Sequence, residues 1–328
     1  MAVRWGILST AKINDAVLAG AAGSDAVDVV AVAGRDGDRT RAYAREKGIP
    51  TAHTGYEALL ADPDVEAVYV SLPNGLHVEW AIKALEAGKH VLCEKPLSRR
   101  VAEVERAFAA AEEADRLLME AFMWRHNPQT LRLAELVADR AVGETRLVRA
   151  AFSFPLSDPS NVRLSGTLWG GALMDVGCYC VSGARLVAGE PETVSAQMVL
   201  APDDGSGVPV DVRCVATMRH PGGVLTTLDC GMDVPSRSEL QVVGAEGTLH
   251  LDDPWHAHAA TIEVRRDGAT RTVATPPADS YRLELENLGA AIRGEAEPLL
   301  GRADALGQAR VIEALYASAA AGGASVAV

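Results

Sequence analysis

A chain of 328 residues, 48% of them apolar, exceeds the size at which one hydrophobic core stops growing, so two domains are expected. A formal net charge of −13 and a pI near 5.1 exclude nucleic acid and anionic membrane as partners, since an acidic surface approaches neither by charge. Five cysteines, at 93, 178, 180, 214 and 230, lack the paired C-x-x-C spacing of a structural zinc site and read as reduced thiols of a cytoplasmic protein.

From the start to residue 122, short β-branched runs alternate with helical patterns, the signature of βαβ units and a parallel sheet. The runs lie at 3–8, 27–33, 67–71, 90–93 and 117–120. Val78, Ala81, Ile82 and Leu85 fall at helical spacing before the stop at Gly88, and Val101, Val104, Phe108 and Ala111 repeat the pattern. The fold class is α/β, and residues 1–122 read as a doubly wound, NAD(P)-binding Rossmann domain.

The first strand runs into Gly6-Ile7-Leu8-Ser9-Thr10-Ala11-Lys12-Ile13, a fragment of the dinucleotide fingerprint in which Leu8 replaces the second glycine and Ala11 stands at the third position. Ser9 and Thr10 offer hydroxyls and backbone N–H groups to a phosphate at the next helix start, or else form an ordinary small-residue turn. The small-residue run 16–22 resembles a signal-peptide core, but Lys12 and Asp15 flank it and a strand precedes it.

At the end of the second strand, Gly34-Arg35-Asp36, with Arg39 one helical turn on, supplies a small residue and guanidinium groups. A 2′-phosphate needs such a pair, whereas NAD wants a carboxylate at that place. The cofactor predicted is NADP, with NAD less favoured; Asp36 becomes the NAD carboxylate if the strand runs longer. After the strand at 67–71, Ser71-Leu72-Pro73-Asn74-Gly75-Leu76-His77 forms a turn at the same sheet edge. Asn74 and His77 are placed beside the nicotinamide ribose, with His77 reading equally as a plain helix start. The strand at 90–93 delivers Glu94-Lys95-Pro96 to that edge, where open parallel sheets bind ligands.

Composition changes after Trp124. Residues 123–328 read as an α+β substrate-binding and oligomerisation domain with a largely antiparallel open sheet. A helix over 128–139, a strand over 145–154 and a helix from near Met174 precede alternating runs at 193–200, 210–219, 223–231, 238–243 and 261–266. Helices at 280–293 and 303–319 close the chain. The sheet is expected to keep a spare face for another subunit, giving a homodimer or homotetramer.

The βα turn, Glu94-Lys95-Pro96, Glu120-Ala121-Phe122-Met123-Trp124-Arg125 and Gly170-Gly171-Ala172-Leu173-Met174-Asp175-Val176-Gly177-Cys178-Tyr179 occur in this order, and the chain resembles the Gfo/Idh/MocA oxidoreductases over essentially its whole length. It is most similar to the branch of D-xylose or glucose 1-dehydrogenases, glucose-fructose oxidoreductase and dihydrodiol dehydrogenase, with NDP-ketosugar reductases nearby. The resemblance puts the family lysine on Lys95, its peptide to Pro96 often cis. The family aspartate falls on Asp175 and the acid/base on Tyr179, where many inositol dehydrogenase-like members have histidine.

Independently of the family, positions 175 and 179 are four apart and share one helix face. A free tyrosine titrates near ~10, so Tyr179 needs a cation, and Lys95 would supply it while hydrogen-bonding the substrate oxygen. Asp175 would orient a sugar hydroxyl or the lysine. Arg125, Asn127, Arg163 and Trp169 read either as substrate contacts or as domain packing; Trp169 could stack on a pyranose. The substrate expected is a small-molecule sugar or polyol. A non-catalytic sugar or nucleotide sensor on the same fold is the rival, and a hydrolase finds no G-x-S-x-G elbow and no metal-ligand cluster.

Overall fold

Short runs dominated by small and β-branched apolar residues build one parallel sheet from β1 (Val3–Leu8), β2 (Val27–Gly34), β3 (Thr51–Thr54), β4 (Ala67–Val70), β5 (His90–Glu94) and β6 (Leu118–Ala121), in the order β3-β2-β1-β4-β5-β6. All four residues of β4 are buried, as expected of a strand covered on both faces. The helices α1 (Asn14–Ala22), α2 (Gly37–Lys47), α3 (Tyr56–Leu60), α4 (His77–Glu86) and α5 (Val101–Glu113) connect them. Strand order reverses between β1 and β4, so the sheet has its topological switch point there. The computed structural model describes residues 1–258 and 260–328.

The second sheet is larger. After α6 (Pro128–Ala138) come β7 (Thr145–Ser153), a π-helical turn at Leu173–Gly177 and α7 (Cys178–Ala188). The strands β8 (Thr193–Leu200), β9 (Asp211–Arg219), β10 (Leu225–Gly231), β11 (Arg237–Gly244), β12 (Gly247–Leu251), β13 (Thr261–Arg266) and β14 (Ala269–Ala274) follow, and β15 (Val326–Ala327) ends the chain. The order is β14-β13-β12-β11-β7-β10-β9-β8-β15, antiparallel throughout except for β7 beside β10. Along β9, Cys214, Ala216 and Met218 turn inward while Val215, Thr217 and Arg219 turn out, the period of two that a one-sided sheet imposes. The inward face packs on α7 and the π turn.

The helices α8 (Ser280–Ile292) and α9 (Arg302–Ala320) lie between β14 and β15. The chain divides into two units, Met1–Met123 with Asp279–Leu306, and Trp124–Ala278 with Gly307–Val328. Departure from the first unit after Met123 falls one residue beyond the expected boundary, but α8 returns to pack on α1, so the second unit is not the continuous block 123–328. The helix expected near Met174 begins at its π turn one residue earlier. None of the described helices is long and apolar enough to cross a membrane.

Candidate functional site

In the first unit the chain leaves β1, β2, β4 and β5 at the same edge of the sheet. At the end of β1, Ser9 adopts φ 115°, a backbone region that L side chains rarely occupy. The sharp part of this turn therefore lies on Ser9, while Leu8 is fully buried in the strand. The Ser9 hydroxyl lies 2.9 Å from the Ser71 hydroxyl and accepts the Ala11 N–H at 3.1 Å, which joins the β1 and β4 turns across the switch point. The Ser9 hydroxyl thus ties two loops together. Among the described residues no acceptor takes the backbone N–H of Thr10, Lys12 or Ile13, and Gly6 sits within β1. Donors clustered at the head of α1 form an anion cradle, reinforced by the helix dipole.

β2 ends at Gly34, where a Cβ would collide with the Thr40 side chain. Arg35 and Arg39 are exposed just beyond. Asp36 caps α2, its Oδ1 accepting the Arg39 N–H at 3.1 Å. The carboxylate nearest the strand end is thus held by a helix start, while both guanidinium groups face outward.

The segment Glu94-Lys95-Pro96 is held from several sides. Tyr69 donates its hydroxyl to Glu94 Oε1, Lys95 N–H donates to Glu94 Oε2 at 3.2 Å, and Leu97 N–H donates to Glu120 Oε1 at 2.6 Å. The Lys95–Pro96 peptide is cis. His77, at the start of α4, places Nδ1 2.9 Å from the Pro96 carbonyl and Nε2 2.7 Å from the Leu72 carbonyl. Burial pushes its imidazole down to about 4, outweighing the pull of those carbonyls. With both ring nitrogens facing main chain and 1% of the residue exposed, His77 is a strut between the Ser71-Leu72-Pro73 turn and the lysine segment. Asn74 opens the neighbouring 3-10 turn, half-buried.

In the second unit, Asp175 lies in the π turn and Tyr179 in the first turn of α7. A π turn of about 4.4 residues keeps positions four apart on one face, and such turns recur at functional sites. Asp175 Oδ2 accepts from Arg163 Nε at 2.6 Å, so two residues expected on the substrate side meet directly. Tyr179 is 7% exposed, its ring edge-on to Phe152 at 5.3 Å and tilted to Trp255 at 5.9 Å. Trp169, with φ 55°, is half-buried in the loop ahead of the glycines. Gly171 N–H donates to the Arg163 carbonyl at 3.0 Å, and a Cβ on Gly170 would strike that same carbonyl. The glycine pair therefore admits the Arg163 backbone, which sets the guanidinium over Asp175.

Arg125 reaches Ser182 at 3.5 Å and lies over the Trp124 ring at 5.9 Å, whereas Asn127 is buried and caps α6 through its bond from Gln129 N–H at 2.9 Å. Asn127 is thereby a helix cap. Several supports escaped the sequence reading. Asp211, fully buried, accepts Leu173 N–H at 2.7 Å on one oxygen and the Tyr316 hydroxyl at 2.8 Å on the other, which anchors the π turn. Glu120 holds Leu97, and Gln308 donates to the Cys178 carbonyl at 2.7 Å. Each is a lone polar residue in an apolar stretch, a legible signal that on its own names no partner.

Comparison with known proteins covers both units. The profile described as "Oxidoreductase family, NAD-binding Rossmann fold" matches residues 3–122, and that of the GFO/IDH/MocA C-terminal domain matches residues 130–250. D-xylose 1-dehydrogenase (NADP(+)) 2 of Haloferax volcanii is 39% identical over 324 residues, 98% of each chain. A crystal structure of a 3-ketoreductase from Actinomadura kijaniata with NADP and TDP-benzene superposes with a TM-score of 0.91 at 31% identity, covering 97% of this chain and 98% of that one. The aldose-aldose oxidoreductase of Caulobacter crescentus, complexed with glycerol, gives 0.91 at 28% identity with full coverage of both.

Proposed function

The chain belongs to the GFO/IDH/MocA oxidoreductase family, and from that premise we propose that it is an NADP-dependent dehydrogenase acting on a CH–OH carbon of a sugar or polyol. The observation that carries this reading is the pairing of a phosphate-ready βα turn at the switch point with a tightly scaffolded Lys95 on the same sheet edge. Full-length likeness to an NADP-linked xylose dehydrogenase supports it.

The residues present fit the cofactor. Unpaired N–H groups of Thr10, Lys12 and Ile13 suit a pyrophosphate, and Arg35 and Arg39 beyond Gly34 suit a 2′-phosphate, with Asp36 tied to its cap. When bound, the nicotinamide supplies the hydride chemistry. Tyr179 then moves the proton of the substrate hydroxyl, and the Lys95 ammonium stabilises charge developing on that oxygen. Asp175, coupled to Arg163, fixes the orientation of a neighbouring hydroxyl. Trp169 offers a flat apolar surface to a sugar ring. The five buried free thiols fit a reducing cytoplasm. Val199 and Leu200 of β8, Val215 of β9 and Leu225 of β10 are exposed and fit burial against a second copy.

A panel of aldoses, dTDP-ketosugars and vicinal diols, assayed by nicotinamide absorbance with both cofactors, tests the reading. Turnover of an aldose with NADP supports it. Turnover confined to ketosugar nucleotides or to diols moves the chain to those neighbouring activities, and no turnover with any class favours a sensor.

A further inference from the structure

The six residues Asp253–His258, between β12 and β13, carry a feature that the proposed redox chemistry does not use. Asp253, His256 and His258 gather their ligand atoms within 4.8 Å of one another. His258 Nδ1 lies 2.7 Å from Asp253 Oδ2, and His256 Nδ1 lies 3.7 Å from Oδ1. The two imidazoles stack at 5.4 Å and 26°, both turned with Nδ1 toward one carboxylate. A simple ion pair would need one histidine.

The segment is fixed from behind. Trp255, wholly buried between the ligands in sequence, donates its indole N–H to the Ala151 carbonyl at 3.1 Å. Ala257 takes φ 56° and donates its N–H to the Asp253 carbonyl at 3.0 Å, turning the chain so that the flanking imidazoles fall on one side. Ser238 of β11 donates to Asp253 Oδ1 at 3.2 Å, and the His258 backbone N–H donates to Oδ2 at 3.0 Å. The His256 ring rests edge-on against Phe152 at 5.7 Å.

We propose that Asp253, His256 and His258 form a binding site for a divalent transition cation of the zinc class. Two imidazoles and one carboxylate are a donor set that suits zinc, nickel, copper and iron(II). Tetrahedral bonds of about 2.0–2.1 Å separate neighbouring ligand atoms by about 3.3 Å. The separations of 2.7 and 3.7 Å lie on either side of that value and all three ligand atoms fall within 4.8 Å of one another, so a cation enters as the two exposed imidazoles draw in around it, displacing the proton between His258 and Asp253. The fourth position stays open to water or a ligand hydroxyl. The expectation of no metal-ligand cluster overlooked the D-x-x-H-x-H spacing, which joins the three only because the chain reverses at Ala257.

The test is calorimetric titration of the tag-free full-length chain with zinc chloride, alongside His258→Ala, Asp253→Asn, Ser238→Ala and, as a control, His250→Ala. Thermal melting verifies that each variant is folded. The expected result is one zinc per chain, about tenfold or more weaker in His258→Ala and Asp253→Asn, weakened less in Ser238→Ala and unchanged in His250→Ala. Cobalt substitution should give d–d bands without thiolate charge transfer, which distinguishes the site from the cysteines. Zinc uptake that is absent in the wild type, or equal in wild type and His258→Ala, overturns the proposal.

Discussion

Arg163 Nε donates to Asp175 Oδ2 at 2.6 Å, joining a loop arginine to the aspartate of the π turn. With side chains 42% and 14% exposed, the pair adds little to stability, about 1 kcal/mol at most. Its consequence is positional. Arg163→Ala is expected to leave the melting temperature almost unchanged while raising KM for the sugar about tenfold, because Asp175 loses its fixed orientation. Unaltered KM would show that Asp175 does not meet the substrate.

Arg35 and Arg39 stand past a strand that ends in glycine, with Asp36 engaged at the cap of α2. The double variant Arg35→Ala/Arg39→Ala should raise KM for NADP by about tenfold or more, as expected for losing charge-assisted bonds worth 1.5–3 kcal/mol, and leave KM for NAD nearly constant. Equal losses with both cofactors would mean that the guanidinium groups do not read the 2′-phosphate.

Glu284 of α8 is fully buried, and among the described residues no hydrogen-bond partner meets either carboxylate oxygen. Burial, with Glu94 and Asp279 nearby, pushes it well above its ordinary 4.5. The folded chain then keeps a proton that the unfolded chain releases above pH 4.5, so this group removes about 1.4 kcal/mol of stability for each pH unit above that value until it ionises in the fold. Glu284→Gln, which mimics the protonated acid, should match the wild type near pH 4 and exceed it by a growing margin as the pH rises above 4.5 in urea midpoints. A gap that does not grow with pH would contradict a protonated Glu284.

His77 runs the other way. Its imidazole is held at about 4 in the fold and at its ordinary 6.5 in the unfolded chain, which therefore binds more protons between those limits. Stability should be intact above pH 6.5 and fall on acidification by roughly 1.4 kcal/mol per unit from His77, with a like share from His90, which burial also holds at about 4, a slope clearest in the Glu284→Gln background where the opposing acid is gone. Flat stability from pH 6.5 to 4.5 in that background would show that His77 is charged in the fold.

The strands bearing the site were legible because β1, β2, β4 and β5 are apolar runs closed by turn residues. β3 was not, since Thr51–Thr54 is a short edge strand of half-exposed small residues, and β14 lies largely in solvent. The return of α8 to the first unit was invisible because an amphipathic helix does not name the surface it covers. Glu284 sits on the face of Leu285 and Leu288, and a helical pattern alone does not say that a carboxylate there is buried. Lys95, Asp175 and Tyr179 stood out through their motifs, but the groups that hold them, Tyr69, Glu120, Asp211 and Arg163, come from distant segments and only the fold assembles them.

The central claim is that Lys95 and Tyr179 serve one proton-coupled hydride transfer. Steady-state turnover of Lys95→Ala, Tyr179→Phe and the double variant, with NADP binding followed by fluorescence, measures it most directly. The account predicts that each single change lowers kcat about 100-fold or more with NADP affinity kept, and that the double variant is little worse than either, as for groups acting as a unit. Near-wild-type turnover in either single variant, or losses that multiply in the double, would contradict it.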